Sequence, residues 1–80
     1  MPQPSAREII AANVRAELAR RGLKQKDLAE HLRINQAGVS ARVNRLTSFS
    51  AEELVATAAF LGVSVQVLVD AEPTAEAVAS

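Results

Sequence analysis

The sequence predicts an all-α fold, a compact bundle of about five short helices around a central helix, tight turn, helix, and three observations carry that expectation. First, Leu28 and Leu32, then Val39 and Val43, recur one helical turn apart, with a short break at Arg33-Ile34-Asn35 between the two pairs. Second, Ser5-Ala6-Arg7-Glu8 and Ser50-Ala51-Glu52-Glu53 each put a Ser three residues ahead of a Glu, the spacing at which the two side chains satisfy orphan amides of a first helical turn. Third, Gly22 and Gly62 stand where apolar periodicity stops, and glycine adopts the left-handed conformation of a helix end at little cost.

In chain order, Met1 to Pro4 reads as a short, mobile, proline-broken arm. A helix starts at the first capping box, with Ile9, Ile10, Val14 and Leu18 as its core stripe and Arg7, Arg15, Glu17, Arg20 and Arg21 facing outward. Gly22 ends it and Leu23 folds back onto Leu18. The second helix runs from about Gln25 to Leu32, and Asn35 caps a third from Gln36 to about Asn44. Ile34 plugs the corner between them, Ala29 permits close crossing, and Gly38 inside the third helix costs about 1 kcal/mol relative to Ala. After the loop Arg45-Leu46-Thr47-Ser48, Phe49 and Leu54 staple a fourth helix whose expected buried side is Leu54, Val55, Ala58, Ala59 and Leu61. Phe60 is expected in the core or in a dimer contact.

Residues 63–69 admit two readings, because Val63, Val65, Val67 and Val69 alternate as in a strand, whereas Ser64 as a cap and Val63 with Leu68 as a staple suit a short helix. Residues 71–80 read as a flexible tail, leaving 5–70 as the folded domain. Eighty residues make one small core, worth only about 3–5 kcal/mol of net stability. With no Cys, the chain has neither a disulfide framework nor a thiolate metal site, and a cytoplasmic location fits. The N-terminus lacks the apolar run of a secretory signal or membrane span.

Net charge is zero, but its distribution is not even. All nine Lys and Arg precede residue 46, against four acids there, a net of +5; residues 46–80 hold five acids and no base, a net of −5. The first part is suited to a polyanion.

Gln25, Leu28-Ala29, Ile34, Gln36 and Val39-Ser40 resemble the helix-turn-helix family of phage repressors, Cro proteins and their bacterial relatives. The resemblance continues through FSAEELVATAAFLGVSVQVLV, similar to the family's fourth and fifth helices, and so covers residues 5 to 70. It implies a lambda-repressor-like DNA-binding domain and favours helix over strand for residues 63–69, although some Cro proteins dimerise through a C-terminal strand. The chain departs from the family at three places: Arg33 occupies the usual turn glycine, Lys24 the usual Ser or Thr cap, and the glycine often found after the second helix of the motif is replaced near Arg45.

The resemblance implies a regulator of transcription, a repressor of the Cro or immunity type, that inserts helix 36–44 into the major groove of a double-stranded operator as a homodimer. Gln36 is the foremost base reader, since a primary amide offers a bidentate donor and acceptor to adenine. Ser40 and Asn44 are secondary, and Ala37 and Ala41 suit a thymine methyl or no contact. Backbone phosphates are expected at Lys24, Gln25 and Lys26 around the open amides of the second helix, ahead of the reading in which Asp27 and water cap that end. Arg45, Thr47 and Ser48 offer further donors. Arg42 suits a phosphate with its stem packed on the core, or equally an intramolecular ion pair. Val65, Leu68 and Val69 are the expected dimer contacts.

Enzyme chemistry has nothing to stand on here, with no nucleophile and base pair and no phosphate-cradling glycine loop. Neither a cofactor nor a small-molecule substrate is expected. His31 and Asp27 are two ligands without a third and read as a surface pair. Rival functions are an antitoxin-like or other protein-interaction module, and an excision factor that bends DNA.

Overall fold

The computed structural model describes residues 4–71, so residues 1–3 of the expected arm and 72–80 of the expected tail lie outside the described residues. Five helices follow one another: α1 Ala6–Arg20, α2 Gln25–Leu32, α3 Gln36–Val43, α4 Ala51–Leu61 and α5 Val65–Val69. No strand occurs among the described residues, and residues 65–69 are helical.

The caps explain where each helix starts. Ser5 and Ser50 accept from the N–H groups of Glu8 and Glu53, each Glu carboxylate accepts in return from its Ser N–H, and Asn35 accepts from Gly38 N–H at 2.7 Å. At the other ends, Gly22 and Gly62 have φ of 65° and 73°. Leu23 N–H reaches Leu18 O and Val63 N–H reaches Ala58 O, the wider loop of a Schellman closure.

Val14, Leu18, Leu28, Ala29, Val39, Val43, Ala58, Leu61 and Leu68 form one core, into which all five helices contribute. Helix α1 packs on α3 and α5, α2 on α3 and α4, and α4 on α5. Phe49 and Leu54 pack against this core as the staple requires.

Three expectations about facing need correction. Glu17, expected outward, is 6% exposed, because its carboxylate accepts from both Arg20 and Arg21 and the two guanidiniums remove the need for water. Val55, expected in the core, is 59% exposed, and Ala59 is exposed with it. Leu54, Thr57, Ala58 and Leu61 already fill the inward side of α4, and a helix of this width cannot bury the opposite stripe as well. In α1, Ala11 is fully buried while Ile9 and Ile10 are only partly so.

Candidate nucleic-acid interface

Helix α3 is anchored from behind. Val39 and Val43 are both 0% exposed, Ile34 in the preceding turn packs against the same core, and the α1 side chain Arg15 donates to Val43 O at the C-terminal end of α3. The opposite face carries Gln36 and Ala37 in the first turn, Ser40 and Ala41 in the second and Asn44 at the cap. Gln36, Ala37 and Asn44 are exposed, and Ser40 and Ala41 partly so. Asn44 Nδ2 donates to Ser40 Oγ at 3.1 Å, joining two of the expected base readers one turn apart. Apart from Gln36 these side chains are short, so the helix axis can approach a surface closely with only Gln36 projecting far.

The turn geometry accommodates the arginines that stand where the resemblance calls for glycine. Arg33 caps α2 at φ 59°, ψ 40°, and Arg45 follows α3 at φ 70°. Left-handed backbone costs a residue with a Cβ about 1–2 kcal/mol, so glycine rules alone would not have located these turns. Ile34 N–H bonds to Ala29 O and Leu46 N–H to Ala41 O, closing both turns as a glycine would.

At the start of α2 no side chain caps the first-turn amides; Asp27 instead turns back to accept from Lys24 N–H at 2.9 Å. Lys24 and Lys26 are exposed beside this end and Gln25 is half-buried. At the far end of α3, Arg45, Thr47 and Ser48 are exposed in the loop to α4.

Arg42, for which the sequence left two fates open, forms the ion pair. Its Nε and Nη2 donate to the two carboxylate oxygens of Glu53 at 2.9 and 3.0 Å, and Nη1 donates to Gly38 O at 2.8 Å. The pair joins α3 to the first turn of α4, and its guanidinium is not available to a phosphate while it holds. The hydrogen bond from Arg42 holds the Glu53 carboxyl below its ordinary pKa; desolvation opposes this, and the Ser50 hydrogen bonds and the Arg42 charge add to it.

Of the three expected dimer contacts, Leu68 is 0% exposed in the protomer's own core and cannot meet a partner without leaving it. Val65 is half-buried against that core, and Val69 is 37% exposed. His31 lies with its ring centroid 4.9 Å from that of Phe60, tilted by 33°. Among the described residues no group of three His, Cys, Asp or Glu could hold a metal ion, and no helix is long and apolar enough to cross a membrane.

Sequence reasoning missed the polar ties between elements. Asn13 Nδ2 donates to Leu68 O and Asp70 O at 2.9 and 3.0 Å, Arg15 holds α3, and Arg7 Nε donates to Ser48 Oγ at 2.9 Å. The pairing of Glu17 with Arg20 and Arg21 had a signal in its spacing of three and four residues. The longer ties had none, because they join positions at least 28 residues apart.

Comparison with known proteins agrees with this architecture. Residues 3–70 match the family model described as a helix-turn-helix domain. Two crystal structures of the clp gene regulator ClgR from Corynebacterium glutamicum are similar. One is 32% identical with a TM-score of 0.80, over 88% of this chain and 76% of that one; the other is 31% identical with a TM-score of 0.77, over 86% and 91%. A hypothetical transcription factor, NHTF, from Neisseria shares the fold at 24% identity and a TM-score of 0.78, over 99% of this chain and 92% of that one. No curated protein matches the sequence.

Proposed function

Because the chain belongs to the helix-turn-helix domain family, we propose that it is a sequence-specific, double-stranded DNA-binding regulator of transcription. In this reading it is a repressor of the Cro or immunity type that places α3 in the major groove of an operator. The observation that carries the reading is the face of α3: Gln36, Ala37, Ser40, Ala41 and Asn44 look outward with no bulky side chain among them, while fully buried Val39 and Val43 hold the helix rigid from behind. The similar proteins described as a regulator and a transcription factor support the same class.

Gln36 then reads a base edge, Ser40 and Asn44 act as a hydrogen-bonded pair, and Ala37 and Ala41 allow close approach to a thymine methyl. Lys24, Gln25 and Lys26 take one phosphate group at the open end of α2, and Arg45, Thr47 and Ser48 take the other strand. A homodimer on a two-fold site follows from the small reading surface of one protomer, with Val69 and the exposed Val55 as the apolar surface on offer.

Selection of bound sequences from a random duplex library at near-physiological salt tests this directly, since non-specific attraction fades there. A symmetric site with half-sites about 10 bp apart is expected. Gln36→Ala should cost about 1–3 kcal/mol at one base position, and Lys26→Ala should weaken all sequences alike. Equal losses on operator and random DNA for Gln36→Ala would count against base reading, and no enrichment at all would favour the protein-interaction module.

A further inference from the structure

We propose a second backbone-phosphate subsite, formed by Arg7 of α1 and Arg45 after α3 around Ser48, which makes α1 part of the DNA footing. This rests on the DNA-binding reading above and extends it to a helix for which the sequence suggested no DNA contact. Ser5, Ala6, Arg7, Glu8, Arg45 and Ser48 line one open cleft between the first turn of α1 and the loop that follows α3.

Arg7 is held there by its Nε bond to Ser48 Oγ, which leaves both terminal nitrogens to a ligand. Arg45 is fixed by its left-handed backbone and by its N–H bond to Arg42 O. The ion pairs among the described residues join Arg20 and Arg21 to Glu17 and Arg42 to Glu53, so neither Arg7 nor Arg45 is neutralised by one. Glu8 also borders the cleft, with Oε1 turned to the N–H and Oγ of Ser5, and two guanidiniums against one carboxylate keep the cleft cationic. The ligand class is therefore a phosphodiester oxygen, which guanidinium forks suit in geometry and charge.

Placement relative to the other cationic end supports the assignment. Gln25, at the open end of α2, borders Leu18 and Ala19 of α1, whereas Arg45 and Ser48 border residues 5–8 of the same helix. At about 1.5 Å of rise per residue, roughly 15–20 Å of α1 separates the two clusters. That span is enough to straddle a major groove about 12 Å wide and reach the phosphates on both of its edges.

The test is the salt dependence of binding to the selected operator and to random duplex, for wild type, Arg7→Gln, Arg7→Lys and Arg45→Gly. Arg7→Gln is expected to lower the slope of log K against log salt by about 0.9, and binding by roughly eightfold at 0.1 M salt, on both duplexes alike. Arg7→Lys is expected to restore the slope. Arg45→Gly relieves left-handed backbone, so it is expected to raise the melting temperature while lowering the slope, a combination that partial unfolding cannot produce. A slope unchanged in both Arg7→Gln and Arg45→Gly, with Lys26→Ala still lowering it, overturns the subsite and leaves the DNA-binding reading intact. Absence of DNA binding by the wild type overturns both.

Discussion

Glu53→Gln measures how far the hold of α3 on α4 depends on one ion pair. Glu53 accepts from Arg42 at 2.9 and 3.0 Å while its Oε1 also accepts from Ser50 N–H at 2.9 Å. A carboxamide can keep the capping half of this arrangement, so the substitution chiefly removes the charge and one of the two guanidinium bonds. Hydrogen bonds to charged groups contribute about 1.5–3 kcal/mol. With side-chain exposures of 18% and 21% the pair is still partly wet, so the lower end applies, about 1.5 kcal/mol. Against a total of about 3–5 kcal/mol for a core of this size, that is roughly a third to a half of the stability, or a fall in Tm of about 6–12 °C. The pH dependence identifies the cause. Folding depresses the Glu53 pKa from 4.5, so its contribution is complete above that value and is lost as pH falls through the lower folded value. Urea unfolding followed by circular dichroism from pH 7 to pH 3 should show the gap between wild type and Glu53→Gln closing in that acid range. A double-mutant cycle with Arg42→Met should return a coupling of about 1 kcal/mol or more at pH 7. A gap constant with pH, or a coupling indistinguishable from zero, would refute the account.

Two further perturbations probe groups that the core treats unequally. Thr57 is 0% exposed and its Oγ1 has no hydrogen-bond partner, so Thr57→Val, which removes the buried hydroxyl at nearly constant volume, should stabilise the fold by about 1 kcal/mol; a thermal melt at or below that of wild type would show that the hydroxyl is satisfied. Asn13→Ala removes both bonds that tie Leu68 O and Asp70 O to α1, so it should cost about 1–2 kcal/mol. Hydrogen exchange should quicken first in α5, and an equal loss of protection in α2 and α3 would mean that the tie belongs to the global fold instead of to a local opening.

What the sequence makes legible here is whatever local chemistry determines. Ser5, Asn35 and Ser50 mark helix starts because a short side-chain oxygen reaches an amide three residues on, and Gly22 and Gly62 mark stops because left-handed backbone is cheap there. Residues 63–69 were ambiguous because alternating Val and a staple pattern coexist in so few residues; the fold resolves 65–69 as helix, burying Leu68 against α1 and α4. Facing was less legible in α4, where Val55 and Leu54 are chemically alike and only the positions of the other helices decide which goes inward. Arg33 and Arg45 illustrate the opposite limit, since a turn that glycine would mark is closed here by the hydrogen bonds around it.

Charge is where counting and geometry differ most. Nine cations lie before residue 46, and all of them contribute to the long-range field that steers a polyanion. Contact is a stricter requirement. Arg20 and Arg21 are held by Glu17, Arg42 by Glu53 and Gly38 O, and Arg15 by Val43 O. Arg7, Lys24, Lys26, Arg33 and Arg45 remain with exposed side chains, no ion pair among the described residues and, unlike Arg15, no side-chain bond to the backbone of α3. If phosphate contacts come from these alone, counterion release per protomer is bounded by five charges instead of nine, a salt slope no steeper than about −4.5. A steeper slope per protomer would mean that DNA draws Arg42 or Arg15 away from the bonds that position α3, and that the reading helix moves when it binds.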